Sequence, residues 1–278
     1  MTAEQPDKSR GTATLRAVIR EMLPVTVAVS GGVDSMTLAS FSHCLGFSGQ
    51  VNMIHAVSPA VPPQATDRVR KTANDQGWQL EIIEAGEFSD PRYRANPVNR
   101  CFFCKTNLYA ALADRTSGTI LSGTNHDDLG DYRPGLDAAR NHSVRHPYVE
   151  AKMTKADVRG LAAELGLSDI AELPASPCLS SRIETGLAIN PDELRLVNQV
   201  EQYLQTHLSP HTVRCRVRKA GFVIELDRAT RSRLTTDHRT TLLSQLKQEF
   251  PELDVQPLTF AGYEQGSAFV GARPSINK

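Results

Sequence analysis

The stretch Ser30-Gly31-Gly32-Val33-Asp34-Ser35 puts two glycines, two hydroxyls and one carboxylate directly after the apolar run Val25 to Val29. Glycines permit backbone angles and close approaches that side chains forbid, so successive N–H groups can point into one concavity. A helix beginning directly afterward adds its positive end. Such a loop cradles an oxyanion. GxxxxGK[ST] is absent and no lysine follows the glycines, so this is not a Walker A loop. The carboxylate of Asp34 would repel a phosphate unless a divalent cation lay between them, and Mg²⁺ is expected there. On the glycine pair alone, an ordinary strand-turn-helix corner capped by Asp34 and Ser35 is the competing reading.

Sulfur chemistry is the second possibility. Arg100-Cys101-Phe102-Phe103-Cys104-Lys105 contains a CxxC, which brings two thiolates within reach of one inorganic centre. Cys178, in Pro177-Cys178-Leu179-Ser180-Ser181-Arg182-Ile183, is a third candidate ligand from a distant stretch. A zinc half-site, a redox pair or two buried thiols at a helix start are the alternatives for the CxxC. Cys44 lies near Leu38, Phe41 and Leu45 and reads as a packed thiol; Cys215 alternates with Val213 and Val217, on the apolar face of a strand. The opposite face of that strand carries Arg214, Arg216 and Arg218, either a row able to grip a phosphate or a solvated face. No histidine pattern makes a metal site: His126 could touch a nucleotide, whereas His142 and His146 read as loop residues. Trp78 and Tyr93 fit packing and stacking equally.

These groups must be positioned by regular elements. Apolar runs at Val25 to Val29, Val51 to Ala56, Leu80 to Ile83 and Thr119 to Leu121 alternate with helical patterns at Ser35 to Leu45, Gln64 to Asp75, Lys105 to Asp114 and Thr154 to Leu165. That alternation predicts an α/β fold with a mostly parallel sheet, whose ligands bind beyond the carboxyl ends of the strands. SGGVDS lies at that end of the first strand. After Cys178 the pattern changes to a helix, Pro191 to His207, strands at Thr212 to Arg218 and Gly221 to Leu226, a helix at Asp237 to Glu249 and a last strand near Leu253 to Leu258. A smaller α+β domain is expected there, with domains at 1–180 and 181–278 and the boundary among Pro174, Pro177, Gly186 and Pro191.

Composition sets outer limits. In 278 residues Lys+Arg and Asp+Glu both number 31, which disfavours a globally basic nucleic-acid binder. The polar start and the absence of an eighteen-residue apolar run lead us to expect a cytoplasmic protein with no membrane partner. Five cysteines, an odd number, fit a reducing compartment better than a disulfide framework.

SGGxDS resembles the signature of the PP-loop ATP pyrophosphatases. Ser122-Gly123-Thr124-Asn125-His126-Asp127-Asp128-Leu129-Gly130-Asp131-Tyr132-Arg133-Pro134-Gly135, the Cys178 stretch, Gly262-Tyr263 and Gly266-Ser267 narrow the likeness. Together they resemble the LarE family of sulfur transferases, which mature a nickel-pincer nucleotide cofactor. The resemblance implies that Ser30, Gly31, Gly32, Asp34 and Ser35 bind ATP phosphates with Mg²⁺, while Gly123, Thr124, Asn125 and Asp128 line the nucleotide site. It implies that a carboxylate of pyridinium-3,5-biscarboxylic acid mononucleotide is adenylated and becomes a thiocarboxylate, with Asp34, Ser35 and Cys178 in catalytic roles. Arg214 and Arg216 would bind the substrate phosphate; Glu201 and Glu225 match acidic metal-binding positions more weakly. Sulfur would come sacrificially from Cys178, or from sulfide on a 4Fe-4S cluster held by Cys101, Cys104 and Cys178. A sulfide or other sulfur donor and a homo-oligomer, hexameric in known relatives, are also implied.

Two other functions fit parts of the sequence. A tRNA-thiolating enzyme would share the ATP and cysteine chemistry, and residues 211–240 hold eight Lys/Arg against three Asp/Glu. A non-catalytic metal- and ATP-binding protein would keep the cradle without the chemistry.

Overall fold

The computed structural model describes residues 8–47, 49–130 and 133–270; Asp131 and Tyr132 of the second motif lie outside them. Helix α1 (Lys8–Glu21) leads into strand β1 (Val25–Ala28), followed by α2 (Val33–Cys44), β2 (Val51–Val57), α3 (Pro63–Gln76) and β3 (Leu80–Glu84). A short α4 (Pro91–Arg94) precedes α5 (Arg100–Ala113), β4 (Thr119–Leu121), α6 (Pro134–Asn141), α7 (Pro147–Glu150), α8 (Lys155–Glu164) and α9 (Ser168–Ala171). Then come α10 (Pro191–Leu208), the hairpin β5 (Val213–Arg218) and β6 (Gly221–Leu226), α11 (Arg228–Arg233), α12 (Thr236–Glu249) and β7 (Leu258–Gly262).

The first four strands form one parallel sheet in the order β3-β2-β1-β4. Each parallel link needs a crossover long enough to hold a helix, which is why apolar runs and helical patterns alternate in the chain. The order reverses at β1, with β2 on one side and β4 on the other, so a crevice opens beyond their carboxyl ends. Register places Val27 opposite Leu121, and the loops after β1 and β4 leave the sheet at the same level. Leu15 and Ile19 of α1, Val25 and Val27 of β1, Met36 and Leu38 of α2, Met53 of β2 and Leu161 of α8 build the core below that crevice. Each such side chain contributes about 1.5–3 kcal/mol by leaving water.

By internal contacts the chain divides into two units. Among the described residues, one takes the chain up to Glu87 and then Cys101–Ser176; the other takes Phe88–Arg100 and the chain from Pro177. The second unit has its own sheet, β5-β6-β7, antiparallel then parallel, packed by α10. Its excursion from the first half of the chain is bonded in by Asn96, whose amide donates to the Glu184 carbonyl (2.9 Å), and by Tyr93, buried with its hydroxyl 2.6 Å from Ser180 Oγ.

Three expectations change. The last strand runs from Leu258 to Gly262, because Pro251 opens a 3-10 turn over Pro251–Val255 and Pro257 can donate no ladder bond. The helix expected from Lys105 starts at Arg100, so Cys101 and Cys104 lie within its first two turns. Cys44 is exposed, since the last residue of α2 runs past the buried stretch Val33–Ser42. Cys215 is buried as expected, and burial pushes its thiol well up from its ordinary range. Among the described residues no helix is long and apolar enough to cross a membrane.

His55 of β2 is fully buried beneath the loop after β1. Its Nδ1 donates to the Val29 carbonyl (2.7 Å), and its Nε2 lies 2.9 Å from Thr66 Oγ1 of α3, whose hydroxyl can donate to it when the ring is neutral. Burial lowers its pKa from 6.5 against the opposing Val29 bond, and the Arg70 charge lowers it further. At high pH neither folded nor unfolded imidazole is charged; below about 6.5 the unfolded chain takes up a proton that the folded ring resists, so stability falls as pH drops. Melting temperatures between about pH 7.5 and 5.5 should decline, and His55→Gln should flatten that decline; an unchanged slope would assign the pH dependence elsewhere.

Candidate active site

The loop after β1 is closed by its own hydroxyls. Ser35 Oγ accepts the Ser30 N–H (3.0 Å), lies 3.0 Å from Ser30 Oγ and donates to the Gly32 carbonyl (3.2 Å). Ser35 is thus a buried tie that curls the loop. Gly32 is the N-cap of α2 with no side chain to satisfy the first amides, which leaves the helix start open to an anion. Gly31 has φ +82°, and a Cβ there would stand 2.7 Å from the Ala65 carbonyl of α3. Both the conformation and the space demand glycine.

Asp34 occupies the first turn of α2, where a carboxylate suits the helix dipole. Its Oδ1 accepts from Asn125 Nδ2 (3.2 Å), and its Oδ2 pairs with Lys155 Nζ at 2.5 Å. Gly123 lets the loop after β4 pass against this helix start: a Cβ there would be 2.8 Å from the Ser35 amide nitrogen. That loop is folded by Asx contacts. Asp128 Oδ2 accepts the Asn125 N–H (3.0 Å) while its Oδ1 pairs with Arg133 (2.7 Å), and Asn125 Oδ1 accepts the Asp127 N–H (3.0 Å). Thr124 Oγ1 lies 3.1 Å from Ser122 Oγ, which is 2.9 Å from His146 Nδ1. Burial holds the His146 pKa below its ordinary value. The predicted residues Ser30, Gly31, Gly32, Asp34, Ser35, Gly123, Thr124, Asn125 and Asp128 therefore converge on one end of the sheet. His126 is exposed.

Three residues here were not singled out from the sequence, Lys155, Tyr148 and Arg68, while His146, read as a loop residue, stands at the N-cap of α7. Lys155 is the first residue of α8, after the Thr154 cap, and its own N–H donates to Asp127 (2.8 Å). The signal was available: a lysine at a helix start opposes the dipole and needs a carboxylate nearby. Tyr148, fully buried, donates to the Asp34 carbonyl (3.2 Å), and burial raises its pKa well above the usual phenol value. Arg68 of α3 donates to the Gly31 carbonyl at 2.7 Å.

In the second unit Cys178 is exposed at the start of a 3-10 turn, Leu179–Arg182. The buried guanidinium of Arg182 donates to the Pro177 and Cys178 carbonyls (2.7 and 3.3 Å) and pairs through two bonds with Glu201 (3.0 and 2.9 Å). Glu201 also accepts the Cys215 N–H (2.9 Å). The arginine row shares one strand face, as alternation requires, but the face is covered. Arg216 is buried, pairs with Glu225 (2.9 Å) and donates to the Ser181 carbonyl (3.0 Å); Arg218 reaches the other Glu225 oxygen (2.9 Å). Arg214 lies 5.9 Å from the Tyr263 ring centroid, and burial, then the Arg182 charge, lowers its pKa. Glu201 and Glu225, weak candidates for metal binding, are both occupied by arginine.

Cys101 and Cys104, one turn apart on α5, are half-buried in the first unit. Among the described residues no group of three or more His, Cys, Asp or Glu is assembled to hold a metal ion. Trp78 packs in the core with its indole N–H on Gln76 (3.0 Å).

A reversing parallel sheet with SGGxDS after β1 and the GTN loop after the adjacent β4, joined to a smaller C-terminal α+β unit, defines an α/β protein of the PP-loop type. No family model matches the chain. It is 35% identical over 256 residues to an uncharacterised protein of Synechocystis sp., across 91% of this chain and 94% of that one. It is 32% identical over 221 residues to the pyridinium-3,5-bisthiocarboxylic acid mononucleotide synthase of Lactiplantibacillus plantarum, across 78% and 79%. An uncharacterised protein of Methanocaldococcus jannaschii is 26% identical over 207 residues, across 73% and 77%. The chain belongs to the LarE family.

Gly31→Ala tests the loop packing. Gly46, with φ +75° and nothing near its would-be Cβ, is the control. Gly46→Ala should cost about 1–2 kcal/mol from backbone strain alone, and Gly31→Ala clearly more, by urea denaturation; equal costs would remove the contact with Ala65 from the argument.

Proposed function

We propose that the protein is an ATP-dependent sulfur transferase that adenylates a carboxylate of pyridinium-3,5-biscarboxylic acid mononucleotide and replaces it with a thiocarboxylate. The observation that carries this reading is Asp34, held between Asn125 and Lys155 beside an open helix start, in a chain 32% identical to the synthase named above. A carboxylate is a poor electrophile and its oxygen a poor leaving group. Conversion to an acyl-adenylate, with loss of pyrophosphate, gives sulfur a carbon to attack and AMP as the group to expel.

The hard oxygens of the Asp34 carboxylate suit Mg²⁺, and a carboxylate already accepting two bonds keeps lone pairs for it. Bound there, the ion would screen phosphate charge from Asp34. Lys155 supplies a further positive charge toward the same phosphates. Ser30, Gly31 and Gly32 offer the cradle's amides, and Thr124 and Asn125 line its far wall.

We assign substrate phosphate recognition to the second unit, together with the self-association that the family resemblance implies. Arg214 is favoured as the phosphate ligand, because it is only half-buried, lies beside the Tyr263 ring and sits close to the Arg182 charge. Arg216 supports the site from behind, since Glu225 already takes its charge. Cys178 presents an exposed thiol on a loop whose carbonyls Arg182 holds. In the sacrificial route its thiolate displaces AMP to give a thioester, and Cβ–S cleavage with loss of the α proton leaves dehydroalanine. In the catalytic route Cys101, Cys104 and Cys178 are the thiolates proposed for a 4Fe-4S cluster, which when bound supplies a site for external sulfide.

The deciding experiment measures iron, acid-labile sulfide and intact mass of anaerobically purified protein before and after incubation with ATP, Mg²⁺ and the pyridinium mononucleotide. About four irons per chain with an unchanged mass supports cluster delivery; no iron with loss of one H₂S from Cys178 supports the sacrificial route. No AMP, pyrophosphate or thiocarboxylate under either condition refutes the activity. Asp34→Asn should abolish AMP and pyrophosphate formation without lowering the melting temperature by more than a few degrees. Full turnover by that variant would remove Asp34 from the mechanism.

A further inference from the structure

Helix α3 touches the phosphate loop in three independent ways. Ala65 fills the space where Gly31 has no side chain, Thr66 joins His55 and through it the Val29 carbonyl, and Arg68 Nη1 donates to the Gly31 carbonyl at 2.7 Å. Ala65, Arg68 and the buried Val69 and Thr72 fall at spacings of three and four, so one face of α3 meets both loop and sheet.

Across a trans peptide the carbonyl of one residue and the N–H of the next point in opposite directions. Fixing the Gly31 carbonyl on the α3 side therefore turns the Gly32 N–H to the other side. Arg68 is half-buried, and burial lowers its pKa from the ordinary guanidinium value. A guanidinium remains charged under that shift. Arg68 makes no ion pair with a carboxylate among the described residues, and a positive charge bonded to the backbone of an anion cradle raises the local potential for a polyphosphate.

We infer that Arg68 is a positioning residue of the phosphate loop that orients the Gly31–Gly32 peptide and supplies positive charge toward the pyrophosphate end of a bound nucleoside triphosphate. The inference rests on the ATP reading above, and its test separates the two. Calorimetric titration of the wild type, Arg68→Met and Arg68→Lys with Mg·ATP, AMP and inorganic pyrophosphate, each at low and high salt, reads charge apart from structure. Arg68→Met should weaken Mg·ATP and pyrophosphate about tenfold, the effect of one partly screened charge near a phosphate, and AMP far less. Its salt dependence should be flatter than that of the wild type, and Arg68→Lys should recover most of the loss.

Unchanged Mg·ATP and pyrophosphate binding in Arg68→Met would overturn the proposal. So would an equal loss for all three ligands with an unaltered salt slope and no rescue by lysine, which is the signature of a purely structural role. Arg68-dependent pyrophosphate binding in a wild type that does not take Mg·ATP would sustain the residue's role and sink the ATP reading. A wild type that binds neither would sink both.

Discussion

The Asp34 carboxylate is the point on which the first unit's functional end depends. It begins α2, receives Asn125 from the loop after β4 and Lys155 from the start of α8, and its own backbone carbonyl receives Tyr148. Segments separated by more than ninety residues in the chain are thus tied to one side chain. The parallel sheet makes this possible. Reversal of strand order at β1 sets the ends of β1 and β4 side by side, and Gly123 lacks a Cβ that would stand 2.8 Å from the Ser35 amide nitrogen. Lysine at the first position of α8 is locally unfavourable, and the Asp34 charge offsets that cost.

The second unit solves a different problem with the same charges. Arg182 and Arg216 are buried with Glu201 and Glu225, and each guanidinium also holds backbone carbonyls of the 177–181 stretch. Desolvating such pairs gains little net stability, but losing one partner costs about 3–5 kcal/mol because the other is left buried and unpaired. The pairs therefore fix a conformation more than they deepen a well. What they fix is the short turn carrying Cys178.

Local chemistry made much of this legible in the sequence. Alternation gave the parallel sheet, and the two glycines before Asp34 marked the cradle, because periodicity and glycine geometry act over a few residues. Lys155, Tyr148 and Arg68 were missed because their roles exist only after α8, α7 and α3 fold back on α2. The arginine row was readable as a shared face, but its burial was not: Glu225 comes from the neighbouring strand and Ser181 from a turn. The last strand shifted because two prolines punctuate a segment whose apolar residues otherwise suit either element.

Cys178 shows how a reactive side chain can be placed without being built into the fold. The carbonyl of Cys178 accepts from the Ser181 amide and from Arg182, whereas its side chain makes no capping bond and faces solvent. Cys215 is the contrast: its thiol is sealed in the core, held protonated by burial, and only its N–H is used, by Glu201. The turn at Cys178 depends on peptide groups that any residue possesses. Its sulfur can be ligated, alkylated or lost while the Arg182 and Glu201 scaffold stays satisfied, which is the property either route of sulfur delivery demands of this position.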